Sequence, residues 1–157
     1  MIVVVMGVSG CGKSTLGALL ASHLGYPFLD ADEFHPPENV AKMAAGTPLT
    51  DADRQPWLEL LNKKLRGLEN AVLACSALKE SYRKILAQGL TDYRFVHLRG
   101  SIELIRARLG ERRHRYMPAS LLESQFAALE PPLNAIDVDI GGSVAGCVEA
   151  IEARLRV

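Results

Sequence analysis

Five stretches of the chain read as strands, the strongest of them apolar without the alternation of a half-exposed strand. Ile2-Val3-Val4-Val5-Met6 is the clearest, and its continuous β-branched character predicts a strand covered on both faces. Residues 71–75 and 95–98 read the same way, with 135–140 and 27–29 as weaker members. Between them apolar residues recur at the helical period, predicting helices over 13–24, 51–68, 78–88, 102–112, 119–129 and 144–155. Thr50 stands before Asp51 with Asp53 three residues on, a weaker relative of the capping box, and Ser101 and Ser143 are N-cap candidates. The most irregular stretch, 30–55, carries Pro36, Pro37 and Pro48, with Pro56 beside it, and leaves room for one short helix over 38–45.

Strands alternating with helices imply a parallel sheet covered on both faces, an α/β fold of three layers. Right-handed crossovers bring all strand C-termini to one edge, where such sheets bind their ligands. A length of 157 residues fits one domain, 1–157. Charge changes the picture little: lysine plus arginine balances aspartate plus glutamate at 18 each, which disfavours a general polyanion binder. Mean hydropathy is +0.09 and the N-terminal apolar run is far too short to span a bilayer, so no membrane partner is expected. No basic segment precedes that run and no Ala-x-Ala site follows it, so a cytoplasmic location is expected. Cys11, Cys75 and Cys147 lie far apart with neither CxxC spacing nor a histidine cluster, which argues against a disulfide framework or a structural zinc site.

The strongest local signal is Gly7-Val8-Ser9-Gly10-Cys11-Gly12-Lys13-Ser14, a match to G-x-x-x-x-G-K-[ST] between a predicted strand and a predicted helix. Glycines let the backbone approach an anion closely, and successive amides with the following helix N-terminus supply partial positive charge. Gly7, Ser9, Gly10, Cys11, Gly12 and Thr15 are the candidate phosphate cradle. Lys13 adds a full charge at the β- and γ-phosphates, and Ser14 offers a hydroxyl to Mg²⁺. The expected ligands are therefore ATP and Mg²⁺. A guanine-reading Asn-Lys-x-Asp is missing, since Asn62-Lys63-Lys64-Leu65 lacks the aspartate, and Asp139-Ile140-Gly141-Gly142 comes too late to be a switch loop.

Several blocks together resemble the gluconokinase family. They are residues 7–14, Asp-Ala-Asp-Glu-Phe-His-Pro-Pro-Glu-Asn at 30–39, Lys42-Met43, and Pro48 to Leu58. Residues 75–79 with Tyr82-Arg83, Met117-Pro118, Leu121-Leu122 and Ser124-Gln125-Phe126 continue the likeness in the family's order. The resemblance implies ATP-dependent phosphorylation of D-gluconate to 6-phosphogluconate. It also implies the P-loop fold shared with shikimate and nucleoside monophosphate kinases: a five-stranded parallel sheet, a small helical lid at about 112–130, and a homodimer. Another small-molecule kinase of that fold, for shikimate or a nucleoside monophosphate, is the alternative. A nucleic-acid-binding module built on the arginine segment is disfavoured by zero net charge and by the lack of an aromatic platform beyond Tyr116.

The candidate site residues follow. Asp30 closes a strand, and if extended geometry persists Asp32 faces the same side, where two carboxylates call for a cation or a shared proton. The resemblance to shikimate-type kinases implies that Asp30 manages metal-bound water and that Asp32 accepts the proton of the attacking hydroxyl. The bland reading is that one of them caps the helix after Pro37. His35 either bonds the sugar acid or braces the loop. Arg54, a cation in a helix's first turn, calls for a tertiary partner, either an aspartate or a substrate carboxylate. Lys79 emerges at the ligand edge, and the family likeness adds Gln125 to the substrate residues.

The segment 106–115 holds five arginines against one glutamate, and Arg108 and Arg112 share a helical face. They read as closing over the nucleotide, Arg112 at the transferring group, or as a solvated face. His114-Arg115-Tyr116-Met117-Pro118 departs from the family's usual Gly-His-Phe-Met-Pro. Trp57 reads as helix packing, Met6, Met43 and Met117 as filler, and Cys11 as an oxidisable thiol.

Overall fold

Successive residues of a strand face opposite ways, so β1 (Ile2–Met6) feeds two cores at once. In this computed structural model, which describes residues 1–111 and 122–156, Val3 and Val5 join one apolar cluster while Ile2, Val4 and Met6 join another. Beside β1 lie β2 (Phe28–Asp30), β3 (Ala71–Ala74), β4 (Tyr93–Arg99) and β5 (Ile136–Asp139), in the order β2-β3-β1-β4-β5 with every adjacent pair parallel. The order leaves β1 between β3 and β4, where the chain changes its direction of travel across the sheet. Such a switch point opens a crevice beyond the strand's C-terminal end.

The described residues form seven α-helices: α1 (Lys13–Leu24), α2 (Pro37–Ala44), α3 (Asp51–Arg66), α4 (Glu80–Ala87), α5 (Ile102–Glu111), α6 (Leu122–Ala128) and α7 (Val144–Leu155). Leu16 and Leu20 of α1, Ile105 of α5, Leu122 of α6, and Val148 and Ile151 of α7 cover one face. Trp57, Leu58, Leu61 and Leu65 of α3, with Tyr82 and Leu86 of α4, cover the other. This is the three-layer α/β arrangement expected from the alternation of elements.

The helix starts follow their signals. Thr50 and Asp53 make a full capping box, each side chain taking the other's backbone N–H, and Ser101 and Ser143 accept from Leu104 N and Gly146 N. That box and the buried side chains of Trp57 and Leu58 hold α3 together through Pro56, which lies inside the helix. Other boundaries moved for physical reasons. Strand β4 begins at Tyr93, two residues before its apolar run, because Tyr93 and Arg94 pair with Ile2 and Val3 while their side chains stay exposed. Helix α3 stops at Arg66, with Gly67 as its C-cap. Helix α4 begins at Glu80 rather than 78, since Leu78 is buried in the preceding loop and Lys79 is extended. Of the helix expected over 119–129, the described part is α6.

The condition set for Asp32, that extended geometry continues past Asp30, is not met. Residues Ala31–Phe34 form a 3₁₀ turn capped by Asp30, whose Oδ1 accepts from Asp32 N at 3.1 Å. An aspartate at the end of a strand satisfies an otherwise orphaned amide in this way, and the capping outcompetes strand extension.

Candidate active site

The loop 7–14 leaves β1 at the switch point and enters α1. Gly10 and Gly12 have φ values of +85° and +92°, a region that side-chain-bearing residues rarely adopt. Gly10 is doubly constrained, because a Cβ there would lie 2.8 Å from Leu109 Cγ of α5. Gly12 caps α1 without a side-chain hydrogen bond, so the helix's first amides remain open towards the loop. Lys13 begins α1, and its Nζ donates to Val8 O at 3.2 Å. Ser14 Oγ donates to Asp30 Oδ2 at 2.7 Å, joining the two expected metal-site residues. Asp30 thus has two duties, capping the turn with one oxygen and receiving Ser14 with the other. The helix after Pro37 is capped instead by Pro36, without a side-chain bond. Cys11 is buried and burial pushes its thiol pKa up, against the smaller pull of Lys13. Burial thus favours the neutral form of the thiol, which works against the oxidation expected of it.

The loop separates two clefts. One, of about 200 Å³, is lined by Gly10, Cys11, Gly12 and Thr15, by Arg108, and by Ile140, Gly142, Val144 and Cys147. Arg108 Nη2 donates to Ile140 O at 2.6 Å, which holds the guanidinium at this cleft rather than out in solvent. The other, of about 350 Å³, brings together Ser9 and Lys13 of the loop with Asp32, His35, Arg54, Lys79 and Gln125. All five residues expected to meet an acceptor line this second cleft. Arg112 lies outside the described residues, as do His114, Arg115, Tyr116 and Met117.

Within the larger cleft the charged groups are held by a polar chain. Lys79 Nζ donates to Asp51 Oδ1 at 3.1 Å, and Tyr82 OH donates to the same oxygen. Arg54 Nη1 donates to Leu49 O at 2.6 Å and to Tyr82 OH at 3.2 Å, with its guanidinium 5.3 Å from the Tyr82 ring centre. The tertiary partner of Arg54 is thus a tyrosine and a carbonyl, not an aspartate. Neither its Nε nor its Nη2 has a protein hydrogen-bond partner among the described residues. Hydrogen bonds to Tyr82 and Lys79 lower the Asp51 pKa, and the bond to Asp51 raises that of Lys79, so this pair stays ionised.

His35 is buried, stacked on Trp57 with ring centres 4.0 Å apart. Burial pushes its pKa down to about 4, with the nearby Asp32 charge opposing and Arg54 assisting. Trp57 packs as expected, but its Nε1 also donates to Ala31 O, tying α3 to the turn that carries Asp32. Gln125 reaches the cleft from α6, and its Oε1 accepts from Ser9 N at 2.7 Å. It is therefore a phosphate-loop contact as well as a cleft residue.

Sequence reasoning passed over Asn39, Asp51, Tyr82 and Arg83 as site residues. Asn39 and Arg83 are buried polar groups, 2% and 4% exposed, and a polar residue at a core position of a helical pattern was the available signal. Tyr82 and Asp51 had no such signal, because their pairing crosses 31 residues of chain.

Residues 9–128 match the profile of the shikimate kinase family. A gluconokinase from Gluconobacter oxydans (strain 621H) is 50% identical over 133 residues, covering 82% of this chain and 75% of its own. A probable gluconokinase from Xenopus tropicalis is 43% identical, covering 99% of this chain and 93% of its own. The crystal structure of a gluconokinase from Sinorhizobium meliloti 1021 superposes with a TM-score of 0.91 at 43% identity, covering 98% of this chain and 90% of that one.

Proposed function

The chain belongs to the shikimate kinase family and, within it, to the gluconokinases, and from that premise we infer that it transfers the γ-phosphoryl group of ATP to D-gluconate, giving 6-phosphogluconate. The observation that carries the reading is the larger cleft, where the phosphate-loop lysine faces a half-exposed aspartate, a neutral imidazole and two cations suited to a carboxylate.

In this reading the loop amides and Lys13 bind the phosphates and offset charge on the transferring group. Asp32 accepts the proton of the attacking primary hydroxyl as the bond from its oxygen to phosphorus forms and the bond to the ADP oxygen breaks. Arg54, with Nε and Nη2 still to be satisfied, offers a planar fork for the sugar-acid carboxylate, and Lys79 adds a point charge beside it. His35 and Gln125 bound the acceptor space. Arg108 holds the nucleotide side, and Arg112, outside the described residues, is assigned to the transferring group on the resemblance alone.

The Ser14–Asp30 pair fits a magnesium ion by its chemistry, being two hard oxygen donors at the mouth of the phosphate loop. When bound there, Mg²⁺ would supply charge neutralisation for the transferring phosphate.

The wider proposal is a single kinase domain over 1–157 with a lid at about 112–130, acting as a cytoplasmic homodimer without nucleic-acid or membrane partners. No helix among the described residues is long and apolar enough to cross a membrane. Light scattering on the purified protein tests the dimer. The activity is tested by coupled ADP release with ATP and Mg²⁺ across gluconate, shikimate and nucleoside monophosphates. Gluconate should stimulate turnover and the others should not; stimulation by another acceptor alone would overturn the assignment.

A further inference from the structure

We propose that Asn39 is a positioning residue that holds His35 in the tautomer protonated on Nε2, presenting a neutral N–H donor to the oxygen of the acceptor alcohol beside Asp32. The proposal rests on the kinase reading above and deepens it.

The assignment follows from an atom that can only accept. Asn39 Nδ2 lies 3.0 Å from Asp53 O, a backbone carbonyl, so the amide must place its NH₂ there. The same nitrogen lies 3.2 Å from His35 Nδ1. Its second hydrogen therefore meets Nδ1, which must carry a lone pair, and the ring proton sits on Nε2. Trp57 fixes the ring plane from one side, 17° from parallel, and is itself fixed by its bond to Ala31 O at 2.8 Å.

Nε2 lies 3.8 Å from Asp32 Oδ1. That gap is too long for a hydrogen bond, and both residues line the larger cleft, so an oxygen in the cleft about 2.8 Å from each atom would sit about 2 Å off the line joining them. Such an oxygen accepts from Nε2–H and directs its own hydrogen to Asp32, the polarity a hydroxyl needs when Asp32 takes its proton. The opposite tautomer would set a lone pair against the hydroxyl and compete with Asp32 for that hydrogen.

The charged groups facing the ring act in opposite directions, Asp32 favouring its protonated form and Arg54 its neutral form. Asp32 faces it from the 3₁₀ turn, Arg54 from α3, and uncharged Asn39 from α2; the Asp53 carboxylate is turned away to Lys42 and Thr50. Burial outweighs the attraction of Asp32 and keeps the ring unprotonated above about pH 4.

Long-range proton–nitrogen NMR of the whole protein tests the assignment, with His35 identified by its loss in His35→Gln. The expected spectrum shows an unprotonated Nδ1 and a protonated Nε2, with no titration between about pH 5.5 and 8. Asn39→Asp replaces the donor with an acceptor, so the ring proton should move to Nδ1 and the ring should titrate inside that window. Its kcat should fall about tenfold at neutral pH and gain a matching inflection, with the KM for ATP within about twofold of wild type. A wild-type proton on Nδ1, a wild-type ring titrating near its ordinary value, or an unchanged kcat profile in a variant whose tautomer has switched would each overturn the proposal. If Asn39→Asp does not fold, the wild-type spectrum decides alone. Failure of gluconate in the acceptor screen would remove the kinase reading while leaving that spectrum interpretable.

Discussion

Arg83 lies outside both clefts, yet its removal should be felt in the larger one. It is 4% exposed, and Nη1 donates to Ala77 O at 2.8 Å and Leu78 O at 3.2 Å. Nη2 donates to Glu130 O at 2.8 Å and to Glu80 Oε2 at 3.1 Å. Ala77 is the one non-glycine residue with positive φ among the described residues, at +45°, a conformation that costs about 1–2 kcal/mol without support. The guanidinium thus holds a strained turn whose flanking residues, Ser76, Leu78 and Lys79, line the acceptor cleft. Arg83→Met keeps most of the stem volume and removes the donors. Leu78 O retains Glu130 N at 2.8 Å, and Glu130 is exposed, so its carbonyl can turn to water and the buried carbonyl of Ala77 is the one left short. At about 1–3 kcal/mol for an orphaned buried group, partly offset because a buried cation no longer needs desolvating, the net loss is about 1–2 kcal/mol. Urea unfolding should read that loss directly. In the folded fraction the KM for gluconate should rise severalfold while that for ATP holds, and Arg83→Lys, with one or two bonds restored, should fall between. A change within about 0.5 kcal/mol, together with an unaltered gluconate KM, would refute the account.

Asp32→Asn should lower kcat by about 10²–10⁴ with nucleotide affinity retained by calorimetry; near-normal turnover would remove Asp32 from the base role. Gln125→Leu leaves the buried Ser9 amide without its acceptor, a cost of about 1–3 kcal/mol, and should appear as weaker ATP binding in titration calorimetry before any loss of fold. Stability should fall as pH drops from about 6.5 to about 4, because unfolded His35 binds a proton there that the folded ring refuses. At 1.36 kcal/mol per unit the depression amounts to at most about 3 kcal/mol, and the buried His97 shifts in the same direction. His35→Gln should flatten that slope in urea titrations at successive pH values, and a slope as steep as wild type would count against it.

The central strands β1 and β3 were legible because they are buried on both faces and read as continuous apolar runs, whereas the edge strands β2 and β5 gave weaker signals. Helix α1 matched residue for residue, bounded by Gly12 and Gly25, while β4 was cut short because its exposed first residues carry no hydrophobic signal. The phosphate loop was legible because its glycines and lysine are needed consecutively. The acceptor side was harder. Its residues were recognisable by block resemblance, but their partners were not: Tyr82 with Asp51, Asn39 with His35 and Gln125 with Ser9 depend on packing between elements. Whether extended geometry persists through 30–32 is open in the sequence, because local capping by Asp30 competes with strand propagation and nothing in the residue types decides that contest.

One residue explains how so irregular a segment holds a site. Asp53 Oδ2 accepts from Thr50 N and Lys42 Nζ, each at 2.8 Å; its backbone N–H returns to Thr50 Oγ1, and its carbonyl orients Asn39. These bonds pull its carboxyl pKa down to about 2, so the knot persists well below neutral pH. Through it, the start of α3, the end of α2 and the His35 ring are fixed relative to one another without an apolar core of their own. Arg54, the next residue, and Trp57, one helical turn on from Asp53, inherit that placement from the same capping box. The phosphate loop is a general device for holding an anion at a helix start. In the proposed reading, what distinguishes this chain's chemistry sits largely in 30–57, with Lys79 and Gln125 reaching the same cleft, and polar contacts rather than sheet packing would set which alcohol the transferring group meets.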